Sequence, residues 1–582
     1  MTAPTVLLES FAAGEFASSF RFGGFAGVVV AHNPDELLPA LREVEEQVSR
    51  GLHAAGFIAF EAAHALNPSL PAGYPSPHPL LWFGLFRERH AVAAGESDSN
   101  YGFTISDWHA TLDREEHRRA VARIRELIAR GDTYQVNYTF KRHFRLDGDP
   151  FACYRRLCRS QKAPFSAFID TGELLLLSAS PELFFSLKEG ILTVRPMKGT
   201  APRGRFPAED RELAEGLRQS DKERAENLMI VDLLRNDLGM VAETGSVQAV
   251  SLFDVESYPT VHQLTSTIQA KIRAGTGLVQ LLRALFPCGS VTGAPKRRTM
   301  EIINELETEG RGPYTGAIGY FSPGNEALFS VAIRTAVIDK STGEGELGIG
   351  SGITWDSDPD GEYDECLAKS RFAEEPLPDF ALIESLLWEE TAGYFILDRH
   401  LTRLQQSAGR FGFPFDESVI RRRLDELAGS LAGNRKVRLL LASDGSLTIE
   451  AAPVTPDPPG SILTAGFAAT TVDSGDILLY HKSDRREFFD RERALHPEWD
   501  EVLFLNERGE ATEGSYHNIV ARIGGELVTP PVACGLLPGV FREELLARGE
   551  IRERVIGREE LAQAEELFLI NSVRRWRRAR LA

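Results

Sequence analysis

One lysine, Lys198, stands where a lysine side chain can do chemistry. It lies in the stretch Arg195-Pro-Met-Lys-Gly-Thr-Ala-Pro-Arg-Gly204, between an apolar residue and a glycine. Pro196 fixes the backbone before it, and Gly199 lets a bound group come close to the chain. A lysine that is held away from water has a lowered pKa and can act as a nucleophile or a base. The alternative is a solvated lysine in a surface turn, and these residues alone leave both interpretations open.

Acidic residues recur at a spacing that could hold a cation. Glu223 and Glu226 on one predicted helix, and Glu362 and Glu365 on another, are each three residues apart and share a helix face. Two facing pairs would suit Mg²⁺, which takes oxygen ligands and keeps several waters. Alternatively, each pair is a solvated helix face, and Glu365 forms an ordinary ion pair with Lys369.

Two further charged residues fall among apolar neighbours. Glu182 follows a predicted buried strand, where burial would raise the pKa of its carboxyl and make it a usable acid; the alternative is a carboxylate at the rim. Arg334 interrupts an apolar strand and needs an anionic partner, for which a substrate carboxylate is one candidate. Glycine-rich turns between these residues leave backbone N–H groups free to bind carboxylates or phosphates. No GxxxxGK[ST] or GxGxxG motif follows a strand, so nucleotide binding is not supported.

The elements that must position these residues are of both types, so the expected fold class is α+β, a mixed α/β arrangement. Hydrophobic periodicity and turn residues locate them. The predicted strands are 28–31, 56–60, 80–86, 135–137, two strands separated by a break within 174–185, and 331–335, 382–388 and 394–397. The predicted helices are 40–51, 113–131 with Asp113 as its cap, 221–237, 361–369 and 400–412.

Length and composition further limit the number of domains, the class of protein and its possible partners. The 582 residues predict two or three domains, and 43% hydrophobic with 26% charged residues is typical of a soluble globular protein. A net charge of −19 argues against nucleic acid as a main partner. We expect no signal peptide and no membrane span, because the first residues lack a basic region and no apolar run reaches about 18 residues. The five cysteines are scattered, which favours reduced thiols in the cytoplasm.

Residues from about 100 to 372 resemble the chorismate-utilising enzymes. The resemblance rests on four motifs in order: PMKGTAPRG, DKERAENLMIVDLLRNDLG, FPCGSVTGAPK and GSGITWDSDPDGEYDEC. It implies a β-sandwich with surrounding helices, like that of anthranilate synthase component I. Residues 1–100, with Leu7-Leu-Glu-Ser10, look like the divergent front part of the same domain, which would end at residue 372.

Within this family, the residue at position 198 separates the branches. The anthranilate synthases carry a small residue there and the aminodeoxychorismate synthases carry lysine. Isochorismate and salicylate synthases usually carry, in place of Gln135, a lysine that activates water. The combination of Gln135 and Lys198 therefore points to the branch of aminodeoxychorismate synthase component I.

The resemblance also implies roles for the residues. Lys198 would attack the chorismate ring at C2, Glu182 would protonate the leaving C4 hydroxyl, and ammonia would add at C4. Mg²⁺ would be held by Glu226, Glu362 and Glu365 with Glu223 nearby. The implied substrate-binding residues are Gln135, Gly199, Thr200, His262, Thr292, Tyr320, Arg334, Gly350, Ser351, Gly352 and Lys369. No glutaminase nucleophile is recognisable, so a separate glutamine amidotransferase subunit is expected to supply the ammonia.

An acidic segment with two prolines, 373–380, predicts a linker. The residues after it, 381–582, form the smaller of the two parts and resemble the fold-type IV pyridoxal-phosphate enzymes, which include aminotransferases and aminodeoxychorismate lyase. The resemblance implies that Lys482 bonds to the coenzyme, Glu513 pairs with its pyridine nitrogen, and Arg403, Ser572 and the N–H groups of Val540 and Phe541 bind its phosphate. The domain is shorter than its relatives, which leaves its substrate open.

Together the two parts predict 4-aminobenzoate synthesis in two reactions: an aminodeoxychorismate synthase of the transaminase type, then a lyase. One alternative is an anthranilate synthase component fused to a class IV aminotransferase. Another is a regulator that binds chorismate or tryptophan without catalysis. Fold-type IV relatives are dimers, so a homodimer through the C-terminal domain is an expectation from the resemblance alone.

Overall fold

The structure is a computed structural model that describes residues 3–12, 16–95, 101–374 and 380–582. The chain divides into two compact units. The first comprises Met1–Pro202 and Ala214–Leu377, and the second comprises Arg203–Leu213 and Pro378–Ala582. The predicted linker, 373–380, lies mostly outside the described residues, so its boundaries stay a prediction.

The first unit is built on antiparallel strands. In chain order β1–β18 are Thr5–Glu9, Ser19–Ala31, His53–Ile58, Leu81–Val92, Phe103–Ala110, Gln135–Gly148, Phe165–Asp170, Leu174–Ser180, Leu183–Lys188, Ile191–Arg195, Met197–Pro202, Gln248–Ser257, Val261–Lys271, Gly293–Ala294, Ala317–Ser322, Glu326–Val331, Thr335–Asp339 and Glu344–Ile353.

These strands form one continuous hydrogen-bonded series. It runs β5–β6–β18–β17–β8–β7–β1–β2–β4–β3–β15–β16–β9–β10–β13, and β11 and β12 also pair with β13. Alternate residues of a strand face opposite sides, so such a sheet can bury one face against the other when it folds over. The two ends of the series, β6/β18 and β11/β13, both contribute to one cleft, described below.

Helices flank the strands of the first unit. The helices that begin before residue 378, α1–α10, are Pro34–Ser49, Ala62–Leu66, Arg114–Ala129, Pro150–Gln161, Pro207–Gln219, Asp221–Gly239, Leu278–Leu285, Lys296–Leu306, Pro359–Ala368 and Arg371–Glu374, and a 3-10 turn spans Gly289–Val291. Side-chain caps fix where several of them start. Asp113 accepts from Glu116 N at 2.8 Å, as predicted, Ser220 caps α6, and Asp358 caps α9.

The second unit contains two smaller sheets. Its strands, β19–β30, are Leu382–Glu389, Gly393–Tyr394, Arg435–Leu441, Leu447–Pro453, Leu463–Phe467, Glu501–Leu505, Ala511–Gly514, Asn518–Ile523, Glu526–Thr529, Arg552–Glu553, Glu566–Asn571 and Arg575–Leu581. Its helices, α11–α15, are Leu397–Phe411, Glu417–Ala428, Glu487–Leu495, Val540–Ala547 and Arg558–Ala562, with 3-10 turns at Ile477–Tyr480 and Val532–Cys534. Strands β19–β22 form one sheet, and β23–β30 form the other.

The segment Arg203–Leu213 belongs to the second unit although the chain on both sides of it belongs to the first. Phe206 packs against an apolar cluster of the second unit, and its ring centroid lies 5.4 Å from that of Tyr480. Arg205 donates to the carbonyl of Ser474 at 3.0 Å and to the hydroxyl of Tyr480 at 3.3 Å. A segment that follows the Lys198 strand in sequence thus becomes part of the core of the second unit.

Most predicted elements are present, with shifted ends. The helix predicted at 40–51 is Pro34–Ser49, because the side chain of Glu36 bonds back to the amide of Asn33 and starts the helix earlier. The strand predicted at 394–397 is wrong beyond its first residue, since α11 already begins at Leu397. No helix among the described residues is long and apolar enough to cross a membrane.

Candidate functional site

A cleft of about 280 Å³ in the first unit brings together most residues that were predicted to act on chorismate. Its walls are the two ends of the strand series and the helices α6 and α9. The predicted residues that line it are Gln135, Glu182, Lys198, Gly199, Thr200, Glu223, Glu226, Arg334, Gly350, Gly352, Glu362, Glu365 and Lys369. The clustering arises because glycine-rich strand ends leave room between the two halves of the sheet.

Lys198 projects from β11 into this cleft beside the acidic residues. Its Nζ lies 3.2 Å from Oε2 of Glu226, and only 17% of its side chain is exposed. Gly199 has φ of +105°, and a Cβ there would lie 3.0 Å from Glu223 Oε2, so glycine is required. The side-chain amide of Asn227 donates to the carbonyl of Lys198 at 3.1 Å and so holds this turn. Lys198 is therefore not a solvated turn lysine.

Glu182 occupies a buried position just after β8. It is 4% exposed, and burial raises the pKa of its carboxyl to about 7, although Ser290 and Lys198 work in the opposite direction. The hydroxyl of Ser290 donates to its Oε1 at 2.6 Å. A carboxyl with this pKa is protonated in a substantial fraction of molecules near neutral pH, and can therefore give a proton to a leaving group.

The four predicted metal ligands line the cleft together. Burial first, and the charge of Glu226 second, raise the pKa of Glu223. Burial also acts to raise the pKa of Glu365, but the ammonium group of Lys369, 2.7 Å away, outweighs this effect, so the pKa of Glu365 is lowered. Among the described residues, no group of three or more His, Cys, Asp or Glu is arranged so that it could hold a metal ion. In this structure lysines neutralise the glutamates.

Arg334 and the glycines of β18 form the opposite side. Arg334 has φ of +51°, and burial lowers the pKa of its guanidinium to about 10. Its Nη1 donates to the neutral amide of Gln161, so no carboxylate compensates its charge there. Lys369 donates to the carbonyl of Gly350 at 3.1 Å. A Cβ on Gly352 would lie 2.7 Å from the Lys198 Nζ, so a side chain there would have to displace the end of that lysine.

Gln135 lies at the start of β6 and lines the same cleft. It is 1% exposed, and neither its Nε2 nor its Oε1 has a hydrogen-bond partner among the described residues. A buried amide without a partner is unusual because leaving it unsatisfied costs free energy. The amide is thus available to a ligand in the cleft.

Four residues that were predicted to bind substrate do not line the cleft. Tyr320 lines a separate cavity of about 640 Å³, where its hydroxyl donates to Glu326 at 3.0 Å. The direct role given to it is therefore corrected, because its side of β15 faces that other cavity. His262 is 1% exposed and bonds to Ser257. Thr292 is fully buried, with its hydroxyl on the carbonyl of Cys288. Ser351 is also buried and outside the lining.

Several lining residues escaped the sequence analysis, namely Asn137, Met197, Lys222, Gln263, Ser290, Tyr314, Ile333, Thr354 and Ser357. Ser290 lies inside the recognised FPCGSVTGAPK motif, so that motif could have suggested it. Tyr314 gave no such signal. Its ring fills the space that a side chain on Gly348 would need, since a Cβ there would approach it to 2.1 Å.

A second cleft, of about 330 Å³, lies in the second unit around Lys482. Burial, and then the charge of Arg403, lower the pKa of Lys482 to about 8. Burial raises the pKa of Glu513 to about 8, and the backbone N–H of Leu537 donates to its carboxylate at 3.2 Å. A lysine that loses its proton readily and a buried carboxyl share one pocket.

The residues predicted to bind a phosphate also meet there, with one exception. Arg403, Val540 and Ser572 line the cleft, and Val540 is the first residue of α14. Arg403 already donates to Glu384 from Nε at 2.9 Å and from Nη2 at 2.7 Å. Phe541 is not a lining residue, because its ring packs 5.9 Å from that of Phe395; only its backbone remains a candidate.

Sequence comparison places this chain in a family. The chain belongs to the chorismate binding enzymes, whose family model matches residues 22–375. Residues 381–582 match the model of the class IV amino-transferases.

Two groups of curated relatives match the first part. Aminodeoxychorismate synthase component 1 of Klebsiella aerogenes is 45% identical over 270 residues, covering 46% of this chain and 59% of that protein. Aminodeoxychorismate synthase of Streptomyces griseus is 46% identical over 259 residues, covering 44% and 36%. Anthranilate synthase component 1 of Aquifex aeolicus is 40% identical over 268 residues, covering 46% and 54%. The chain thus spans between 36% and 59% of the length of these relatives.

A solved structure agrees with the fold of the first unit. Anthranilate synthase component I of Streptococcus pneumoniae TIGR4 superposes with a TM-score of 0.54 at 25% identity, covering 61% of this chain and 92% of that one. The α+β fold class, with a sheet and surrounding helices of the anthranilate synthase component I type, is confirmed for this unit.

Proposed function

We propose that the first unit converts chorismate and ammonia into 4-amino-4-deoxychorismate. The observation that carries this proposal is the cleft in which the amine of Lys198 and the protonatable carboxyl of Glu182 meet. Similarity to aminodeoxychorismate synthase component 1 at 45% identity supports it. Similarity to anthranilate synthase component 1 is nearly as high, at 40%, so overall identity does not select the product.

The proposed reaction consists of two successive nucleophilic substitutions on the chorismate ring. The uncharged amine of Lys198 forms a bond to C2, the two conjugated ring double bonds each shift by one position, and the C4 hydroxyl takes the proton of Glu182 and leaves as water. Ammonia then bonds to C4, the double bonds shift back, and the Lys198 nitrogen leaves C2 with its electron pair. The added ammonium group returns one proton to Glu182. Holding the ring in one orientation between the two groups supplies much of the rate.

The remaining lining residues suit a substrate with two carboxylates. Arg334 is a partly buried cation with no carboxylate partner among the described residues, and Gly350 and Gly352 border the same space. Four glutamates in one cleft supply the oxygen donors that Mg²⁺ takes, and in the structure Lys198 and Lys369 pair with two of them. Glu226, Glu362 and Glu365, with Glu223, would hold the ion, which would neutralise a ring carboxylate.

We propose that the second unit binds pyridoxal 5′-phosphate, and its residues fit that group. Lys482 is the amine that would bond to it, and the carboxyl of Glu513 is placed to pair with a ring nitrogen. Arg403, Ser572 and the first turn of α14 offer donors to a phosphate. When bound, the coenzyme withdraws electrons from the substrate. The pKa of Lys482, about 8, lets its amine take and return a substrate proton near neutral pH.

With this coenzyme the second unit would eliminate pyruvate from 4-amino-4-deoxychorismate and leave 4-aminobenzoate, a lyase reaction. Class IV enzymes also transfer amino groups, and that activity is the alternative for this unit. Incubation of the full chain with chorismate, ammonium, Mg²⁺ and pyridoxal phosphate tests both, with products identified by mass spectrometry. We expect 4-aminobenzoate and pyruvate in equal amounts.

Other products would decide against parts of the proposal. Aminodeoxychorismate without an aromatic product would remove the lyase reaction, and fluorescent anthranilate would favour the fused anthranilate synthase. Binding of chorismate or tryptophan without any product would favour a regulator.

Partners and location belong to the same proposal. A separate glutamine amidotransferase would supply ammonia, as the name "component 1" of the relatives suggests. A homodimer through the second unit rests on resemblance alone. A cytoplasmic location is supported by the five buried, unpaired thiols.

A further inference from the structure

A group of cations lies at the Lys482 cleft that the proposed coenzyme contacts do not use. Lys436 of β21, Arg486 and Arg574 all line this cleft. Burial, and then the charges of Arg438, Arg486 and Arg574, lower the pKa of Lys436, so these cations lie close enough to repel one another. Arg486 also acts on Lys482 itself. The cations therefore extend from the lysine that would carry the coenzyme toward the mouth of the cleft.

Few carboxylates balance these charges. The side-chain amine of Lys436 makes no hydrogen bond or ion pair within the described residues, although its backbone pairs with the neighbouring strands. Arg486 has a carboxylate only at 3.9 Å, on Asp490, and its other contacts are the carbonyl of Ser515 and the ring of Tyr516. A cluster of like charges in a partly buried pocket is unfavourable unless a ligand of opposite charge completes it.

Arg574 is also incompletely paired. Its carboxylate, that of Asp457, lies 3.9 Å away and is held more closely by Arg577, at 2.9 Å. Arg574 otherwise donates to the carbonyl of Thr455. Among the lining acids, Glu513 has a pKa raised to about 8 by burial, so it contributes little negative charge at neutral pH. The cleft keeps an excess of positive charge.

We propose that Lys436, Arg486 and Arg574 form a carboxylate-binding rim, so that the class IV site takes an amine that carries two carboxylates. This inference deepens the proposed function, because 4-amino-4-deoxychorismate has two carboxylates, and it rests on that proposal for the identity of the substrate. A phosphate held near Arg403 would leave the rim free for them. A monocarboxylic amine would leave part of the rim uncompensated.

The test uses the full chain loaded with pyridoxal phosphate and two unreactive probes, 3-(carboxymethoxy)benzoate and 3-methoxybenzoate, which differ by one carboxylate. The visible absorbance of the coenzyme reports binding at the second cleft alone, which matters because the first cleft could also bind these anions. We expect the dicarboxylate to bind at least about tenfold more tightly, the ratio that one charge-assisted hydrogen bond provides.

The variant Lys436→Gln should lose that preference, and Lys436→Arg should keep most of it. The matched control is Arg423→Gln, which removes one positive charge from an exposed residue of α12 that does not line the cleft. Its preference should stay within about twofold of the unchanged chain. Arg574→Gln provides a second variant, with an expected loss of the same direction.

Two results would overturn the inference. Equal affinities of the two probes for the unchanged chain would show that the rim does not recognise a second carboxylate. Equal losses in Lys436→Gln and Arg423→Gln would show a general effect of charge. Product analysis of the unchanged chain separates the two proposals. If 4-aminobenzoate forms but the two probes bind equally, the proposed function stands and the carboxylate-binding rim does not. If the dicarboxylate probe is preferred but no 4-aminobenzoate forms, the cleft is a dicarboxylate site with another activity.

Discussion

The two lysines that would do the chemistry, Lys198 and Lys482, are prepared in opposite ways. Lys198 lies 3.2 Å from the carboxylate of Glu226 and forms an ion pair with it. Lys482 is half-buried; burial, and then the charge of Arg403, lower its pKa to about 8. The amine of Lys198 thus lies beside a carboxylate, whereas the amine of Lys482 is under the influence of a guanidinium. This contrast suits the proposed roles, in which a cation would be held by the glutamates of the first cleft and a coenzyme would bond to Lys482.

Replacing each lysine in turn is the strongest test of the different roles proposed for Lys198 and Lys482. Lys198→Ala should reduce ammonia-dependent consumption of chorismate by about a thousandfold or more, because it removes the nucleophile. Lys482→Ala should leave that reaction running and should abolish both 4-aminobenzoate formation and the visible absorbance of the coenzyme. Lys271→Ala, at an exposed lysine of the first unit, is the control. A near-normal rate in Lys198→Ala would contradict the covalent role and favour an anthranilate synthase type of reaction.

The two units can also be compared through the pH dependence of stability, because each contains one buried carboxyl group with a raised pKa. Glu182 and Glu513 have pKa values raised from 4.5 to about 7 and about 8 by burial. The folded chain therefore keeps protons that the unfolded chain releases above pH 4.5. Their contribution to stability is complete below pH 4.5 and is lost as the pH rises through about 7 for Glu182 and about 8 for Glu513.

Replacement by glutamine should remove this loss. In the protein without coenzyme, Glu182→Gln and Glu513→Gln should each become more stable relative to the unchanged chain as the pH rises from 4 to 9. The changes in the free energy of unfolding are about 3 and about 5 kcal/mol as upper values. Denaturant unfolding at the two pH values measures them, with Glu173→Gln and Glu559→Gln, at exposed glutamates, as controls. If the free energy of unfolding changed equally with pH in the variants and in the unchanged chain, these acids would be ionised in the folded protein.

The candidate reactive residues of the first unit all line one cleft, whereas four of the candidate binding residues do not, and the difference has a physical reason. Lys198, Glu182 and the glutamates lie in contiguous motifs whose residue types already indicate chemistry. Tyr320 lies equally near a recognised stretch, but a strand turns alternate side chains to opposite faces, and its face belongs to another cavity. Asn227, which holds the Lys198 turn, is invisible in sequence because its partner is a backbone carbonyl.

The sequence also did not indicate that residues 203–213 belong to the second unit. Nothing in the pattern of residues 203–213 separates them from the motif that precedes them, and the chorismate binding family model covers them within residues 22–375. Their assignment to the second unit depends on tertiary packing, in which Phe206 meets the ring of Tyr480. Tyr480 lies two residues before Lys482, so this packing supports the segment that carries the second amine.

The smallest expected effect comes from that packing. Phe206→Ala should lower the stability of the second unit by about 2 kcal/mol, less than for a fully buried phenylalanine, because its side chain is only partly buried. Pyridoxal phosphate should bind more weakly, since the Tyr480–Lys482 stretch loses a support, while ammonia-dependent turnover of chorismate should change little. Thermal unfolding and coenzyme titration measure the first two effects, and Leu495→Ala, at a residue 63% exposed in the same unit, is the control. If coenzyme binding were unchanged and chorismate turnover fell instead, the segment would serve the first amine, and the two sites would not be prepared independently.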